Sequence, residues 1–179
     1  RGAYILSKDE AEKLSKIILT EKMTVNPAIV GQSAATIAKL AGFDVPAHAK
    51  VLVSEETSTD RANPFAHEKL SPILALYKAD NFNRATDMAL ELVNLGGVGH
   101  TSVLYTDSRS QERIDYFATK LPTGRLLINS PSSQGGIGDL FNFKLEPSLT
   151  LGCGSWGGNS VSENVGVKHL LNYKTVAER

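Results

Sequence analysis

The chain has 179 residues, of which 41% are hydrophobic and 21% charged, with 19 basic side chains against 19 acidic ones. That is the composition of one ordinary soluble domain, and a formal net charge of zero leaves no broad electrostatic footprint for a nucleic-acid backbone or an anionic membrane surface. A single cysteine, Cys153, excludes an internal disulfide and a CxxC zinc or redox site and fits a reducing cytoplasm.

The N-terminus, Arg1-Gly2-Ala3-Tyr4-Ile5-Leu6, lacks the layout of a signal peptide, and no apolar run reaches the roughly 18 residues of a membrane helix. It also lacks an initiator Met, which suggests a piece of something longer. Ser7 and Glu10 form a capping-box pattern ahead of Leu14, Ile17 and Ile18, which predicts a surface helix over residues 7–22. A second helix is predicted over 33–41, stopping at Gly42, a third over 82–94, stopping before Gly96-Gly97, and a fourth over 109–120. Between them lie the apolar runs 51–53, 73–77, 103–105 and 126–128, read as strands buried on both faces. Strands alternating with helices at this spacing define an α/β chain with a parallel, helix-covered sheet and right-handed crossovers.

From Gly96 onward the composition changes: 12 of the 15 glycines lie there, and residues 126–160 carry only Asp139, Lys144 and Glu146 as charges. Three glycine clusters, Gly96-Gly97-Val98-Gly99, Gly135-Gly136-Ile137-Gly138 and Gly152-Cys153-Gly154 with Gly157-Gly158, read either as turns or as close approaches of backbone to a ligand. Their position near strand ends, where open α/β sheets bind ligands, favours a site. Residues 169–176 read as one more strand, an edge or a partner for another chain.

The residues with candidate chemistry divide as follows. Residues 152–157 match GxGxxG, but the sequence beyond them offers no apolar helical face to receive a pyrophosphate, so the match reads as turn chemistry. Cys153 has no Lys, Arg or His nearby in sequence and reads as a small buried or loop residue in preference to a nucleophile. His100, between a glycine turn and a strand over 101–106, suits either a general acid or oxyanion donor, or a hydrogen-bonded structural role. Glu68 sits in the proline-bracketed segment Pro64-Phe65-Ala66-His67-Glu68-Lys69-Leu70-Ser71-Pro72. It suits either two vicinal ribose hydroxyls or a solvated turn charge paired with Lys69. His48 and His169 have surface contexts, His67 with Glu68 does not make a metal site, and Asp139, near Phe141 and Phe143, reads as a turn or cap residue.

The segment 64–72, the run Gly96-Gly97-Val98-Gly99-His100-Thr101, and the stretches 128–139 and 150–160 together closely resemble the coenzyme A-acylating acetaldehyde dehydrogenases of the aldehyde dehydrogenase superfamily. The resemblance is greatest to the aldehyde dehydrogenase half of the bifunctional aldehyde-alcohol dehydrogenases and runs over residues 1–179. It implies a parallel-sheet catalytic domain with helices on both faces, and a cysteine thiolate that attacks an acyl-CoA thioester or an aldehyde, with hydride exchanged with NAD. The family nucleophile precedes the segment resembling residues 1–18, so the resemblance places both the nucleophile and the NAD-binding domain outside this chain. Cys153 matches a different family cysteine. By the same resemblance, Glu68 contacts the nicotinamide ribose, Leu151 lines the cofactor site, and His100 acts near the thioester carbonyl. Glu68 does not resemble the general base of hydrolytic aldehyde dehydrogenases, which acyl transfer to coenzyme A does not need.

The expectation is therefore a fragment, inactive alone, of a cytoplasmic NAD-dependent enzyme that interconverts acetyl-CoA and acetaldehyde with coenzyme A as co-substrate. The resemblance further implies homo-oligomers, with filaments in the bifunctional type, and iron only in a separate alcohol dehydrogenase domain; the unpartnered run 169–176 is the expected place of inter-subunit pairing. The alternatives are a stand-alone enzyme for another short aldehyde such as propionaldehyde, or a non-catalytic assembly module.

Overall fold

The computed structural model describes residues 2–138 and 144–179. Asp139, Phe141 and Phe143 lie outside them. The chain divides into two compact units, Arg1–Gly96 and Gly97–Arg179, and the boundary falls where the glycine content rises.

The first unit holds a three-stranded parallel sheet, β1 (Ala3–Ile5), β2 (Val51–Glu56) and β3 (Ile73–Tyr77), in the order β1-β2-β3. Two helices, α1 (Lys8–Ile18) and α2 (Ala34–Leu40), connect the first two strands, and α3 (Phe82–Gly96) follows the third. The register aligns Tyr4, Leu52 and Ile73 on one face. Because side chains alternate across a strand, that face receives the apolar stripe of α1, Leu14 and Ile18, with Ile37 of α2 and Phe65 completing the cluster. Leu14, Ile18, Ile37 and Leu52 are fully buried. The alternate residues Ile5, Leu74 and Leu76 stand on the opposite face, 58%, 56% and 43% exposed. The apolar runs were expected to be covered on both faces. In this chain the helical layer covers the face that carries Leu52.

Ser7 caps α1 as its pattern predicts: Ser7 Oγ accepts from the Glu10 amide (3.3 Å) and Glu10 Oε2 accepts from the Ser7 amide (2.8 Å). Helix α1 ends at Ile18, four residues before the predicted limit, and the chain turns back through an antiparallel bridge between Leu19 and Val25. Strand β1 escaped the sequence reading. At three residues it exists only through its pairing with β2.

The second unit has two parallel strands, β4 (Gly99–Leu104) and β5 (Thr123–Ile128), joined through α4 (Gln111–Lys120). Phe117 of α4, Leu104, Leu121 and Leu127 are buried. A four-residue helix, α5 (Ser132–Gly135), follows β5. Both predicted strands begin earlier than their apolar runs, because the ladder includes Gly99 paired with Thr123 and Thr101 paired with Arg125. The overall class is thus α/β with parallel strands, as expected.

The predicted strand over residues 169–176 is not one within this chain. His169 and Leu170 close a 3-10 turn, Val167–Leu170, and residues 171–179 carry no regular secondary structure. A strand exists only through a backbone partner. Among the described residues none lies alongside this segment.

Candidate functional site

Each unit carries part of the predicted machinery. In the second unit the first and third glycine clusters meet at one side chain that the sequence reading passed over, Arg125 of β5. It is 4% exposed. Its Nε donates to Thr101 Oγ1 (3.1 Å), Nη1 to the Gly152 carbonyl (2.8 Å) and Nη2 to the Gly99 carbonyl (3.4 Å). A guanidinium offers five N–H donors in a rigid plane, so one residue can hold three acceptors, two on β4 and one at Gly152. The only cue in the sequence was a lone charge between Gly124 and the apolar run 126–128.

Close backbone contact supports this arrangement. Gly99 has a φ of +82°, and a Cβ there would lie 2.2 Å from the Cys153 carbonyl oxygen and 2.7 Å from Cys153 Cβ. Only glycine permits that approach. A Cβ on Gly136 would stand 3.7 Å from both Leu151 Cδ1 and Thr101 Oγ1, so the middle cluster reaches residues flanking the other two. Asn164, buried opposite Leu151 in an antiparallel bridge, donates to the carbonyls of Gly136 (3.0 Å) and Glu146 (2.7 Å).

His100 occupies the second position of β4, exposed, with its amide donating to the Gly97 carbonyl across the glycine turn (3.0 Å). Leu151 is half-buried next to Gly152. Cys153 is buried; its amide donates to Asn159 Oδ1 (2.9 Å) and its Sγ lies 3.9 Å from the Leu151 carbonyl. A carbonyl oxygen is neither the base nor the cation that activates a thiol. The GxGxxG stretch leads into a 3-10 turn, Ser155–Gly157, not a helix, so it lacks the N-terminus that would receive a pyrophosphate. A cleft of about 370 Å³ beside it is lined by Gly154, Ser155, Trp156, Asn159, Ser160 and Ser162 and contains neither His100 nor Leu151.

In the first unit Glu68 rides on a braced strap. Asn63 caps the 3-10 turn Pro64–Ala66, its Oδ1 accepting from the Phe65 amide (3.0 Å), while its Nδ2 donates to Glu56 Oε2 (2.9 Å). Phe65 anchors the turn in the core. His67 Nε2 bonds to the Arg61 carbonyl (2.6 Å). Lys69 does not spend its ammonium on Glu68: Nζ donates to the carbonyls of Phe65 (2.7 Å) and His67 (2.6 Å). Burial pushes Lys69 down to about 8, against the opposing pull of Glu56 and Glu68. The strap thus presents the Glu68 carboxylate to solvent.

Among the described residues no group of three or more His, Cys, Asp or Glu side chains is placed to hold a metal ion. His169, expected to be inert, braces the turn after the glycine loop: Nδ1 accepts from the Gly166 amide (2.9 Å), which leaves Nε2 to donate to Glu163 (3.1 Å). Among the described residues no helix is long and apolar enough to cross a membrane.

No family model matches the chain. Its sequence and fold are nevertheless similar to those of acylating aldehyde dehydrogenases. It superposes on an acetylating aldehyde dehydrogenase from Geobacillus thermoglucosidasius (TM-score 0.85, 36% identity) over 99% of this chain and 40% of that one. A probable aldehyde dehydrogenase from Listeria monocytogenes matches likewise (TM-score 0.86, 45% identity, 99% of this chain and 39% of that one). More particularly, the chain is 59% identical over 179 residues to the bifunctional aldehyde-alcohol dehydrogenase of Escherichia coli K12, covering 99% of itself and 20% of that protein. The same residues match single-function aldehyde dehydrogenases, so the homologous region is the aldehyde dehydrogenase part of the bifunctional enzyme. The chain spans about a fifth of that relative's length.

Proposed function

We propose that the chain is most of the catalytic domain of an NAD-dependent, coenzyme A-acylating acetaldehyde dehydrogenase of the bifunctional type, cytoplasmic, interconverting acetyl-CoA and acetaldehyde. The observation that carries this reading is the 59% identity along nearly the whole chain to a bifunctional aldehyde-alcohol dehydrogenase. The nucleophilic thiol and the nucleotide-binding domain belong to sequence outside these residues. The cofactor, when bound, exchanges a hydride with the substrate carbon.

Three residues of this chain take part. The exposed carboxylate of Glu68, an acceptor-only group, receives hydrogen bonds from the two vicinal hydroxyls of the nicotinamide ribose. Its braced strap makes that contact rigid. Half-buried Leu151 supplies an apolar wall for the cofactor. His100 donates a hydrogen bond to the thioester carbonyl oxygen as negative charge develops there, a contact stronger in the transition state than in the ground state.

The reading is tested on the full-length protein. Acetyl-CoA and NADH should release coenzyme A, with one NADH oxidised in forming acetaldehyde and a second where a linked alcohol dehydrogenase reduces that acetaldehyde to ethanol, and the 179-residue chain alone should be inactive. Robust NADH formation by the chain alone from acetaldehyde, coenzyme A and NAD, abolished by Cys153→Ala, would overturn the assignment of the nucleophile. Propionaldehyde in the same assay decides the aldehyde preference, and sequence following Arg179 decides whether an iron-dependent alcohol dehydrogenase accompanies it.

Assembly accompanies catalysis in this proposal. Leu170, Tyr173 and Val176 are each more than four-fifths exposed, in a segment whose backbone has no strand partner among the described residues. A second copy supplies both the apolar cover and the strand.

A further inference from the structure

We propose that Arg125 is the positioning residue of the glycine assembly: its guanidinium fixes the peptide planes beside His100 and Cys153 and so aims the His100 imidazole. The inference rests on the role assigned to His100 under the proposed function.

Three observations carry it. First, the bonds of Arg125 fall on the immediate neighbours of the residues that matter. Nη2 reaches the carbonyl of Gly99, whose peptide continues into His100; Nε reaches Thr101, on the other side of His100; and Nη1 reaches the carbonyl of Gly152, between Leu151 and Cys153. Second, a peptide group is planar, with its carbonyl and N–H pointing in opposite directions. Drawing the Gly99 and Gly152 oxygens toward the guanidinium therefore turns the His100 and Cys153 amides away from it, toward the acceptors they meet, the Gly97 carbonyl and Asn159 Oδ1. Third, burying a cation costs stability, and among the described residues no carboxylate pairs with this one. Packing alone would be served by an apolar residue, as at Leu127, two positions along the same strand. What the arginine adds is a fixed geometry between two loops rich in glycine, the residue with most backbone freedom to lose.

The test is a double-mutant cycle in the full-length enzyme, reading kcat for acetyl-CoA reduction and KM for NADH. Arg125→Lys keeps the charge but cannot span three acceptors. It should lower kcat about tenfold, the usual scale for a lost charged hydrogen bond, while KM for NADH moves less than about twofold. In a His100→Ala background the same substitution should cost nothing further, because there is no imidazole left to aim. Equal losses in both backgrounds would show that Arg125 only holds the fold, and would overturn this inference while leaving the role of His100 intact. An unchanged rate in His100→Ala itself would remove both. If Arg125→Lys does not fold, Thr101→Val, which deletes one acceptor and keeps the β-branched shape, enters the same cycle with an expected loss of about threefold, present only when His100 is present.

Discussion

At the scale of single residues the first unit contains two shifted groups with opposite consequences, Lys69 on the strap and Tyr77 at the end of β3. The unfolded chain holds the Lys69 proton up to about its ordinary 10.5, whereas the folded chain holds it only to about 8. Between those values the unfolded state binds more protons, so stability should rise with pH across that window. Tyr77, beside Glu56 in the ladder, is pushed from 10.0 up to about 12, mainly by burial. There the folded state keeps the proton longer, and stability should fall from pH 10 upward. Urea midpoints measured from pH 7 to 11 should therefore pass through a maximum near pH 10, and Lys69→Met should flatten the rising limb. His100→Ala in the full-length enzyme should lower the acylation rate by about two to three orders of magnitude, the worth of one oxyanion donor, with NAD affinity nearly unchanged. Stopped-flow release of coenzyme A reads the first quantity and fluorescence titration the second. Of these residues, the sequence pointed to His100 and Glu68 only through a family resemblance in their local segments, and their roles belong to the proposal. Arg125 was not legible, since its meaning lies in carbonyls 26 and 27 positions away, which no local pattern displays.

At the scale of elements the helices were the clearest part of the sequence. The Ser7 and Glu10 cap closes as its spacing requires, and Glu10 also accepts from the Tyr4 hydroxyl (2.9 Å), which ties β1 to the helix it precedes. The Ser7 amide is the largest influence holding the Glu10 carboxyl below its ordinary value. Ser7→Ala should cost about 1 kcal/mol in urea unfolding. The same element's inward stripe is worth more: Leu14→Ala or Ile18→Ala, each emptying a fully buried site, should cost about 3 kcal/mol. Strand limits were less legible. β4 and β5 begin at residues such as Gly99 and Thr123 that lack an apolar signature, and their membership comes from pairing across the ladder. Residues 169–176 show the converse: a run without a strand partner among the described residues forms no strand.

At the scale of the whole molecule, the shift in glycine content at Gly96 coincides with the division into two units, so composition indicated a boundary even where it suggested a single domain. Replacing Leu171 and Tyr173 together by Asp should lower the mass of associated species in light scattering. Unchanged mass would remove residues 169–176 from assembly.

The outward face of the first unit's sheet has a practical consequence. With Ile5, Leu74 and Leu76 uncovered side by side, the 179-residue chain handled alone should bind an apolar fluorescent dye while fully folded. Its colloidal behaviour should resemble that of a sheared surface, with a solubility ceiling that Leu74→Lys raises. A purification that yields precipitate would in that case report an uncovered sheet face, not a failure of the fold.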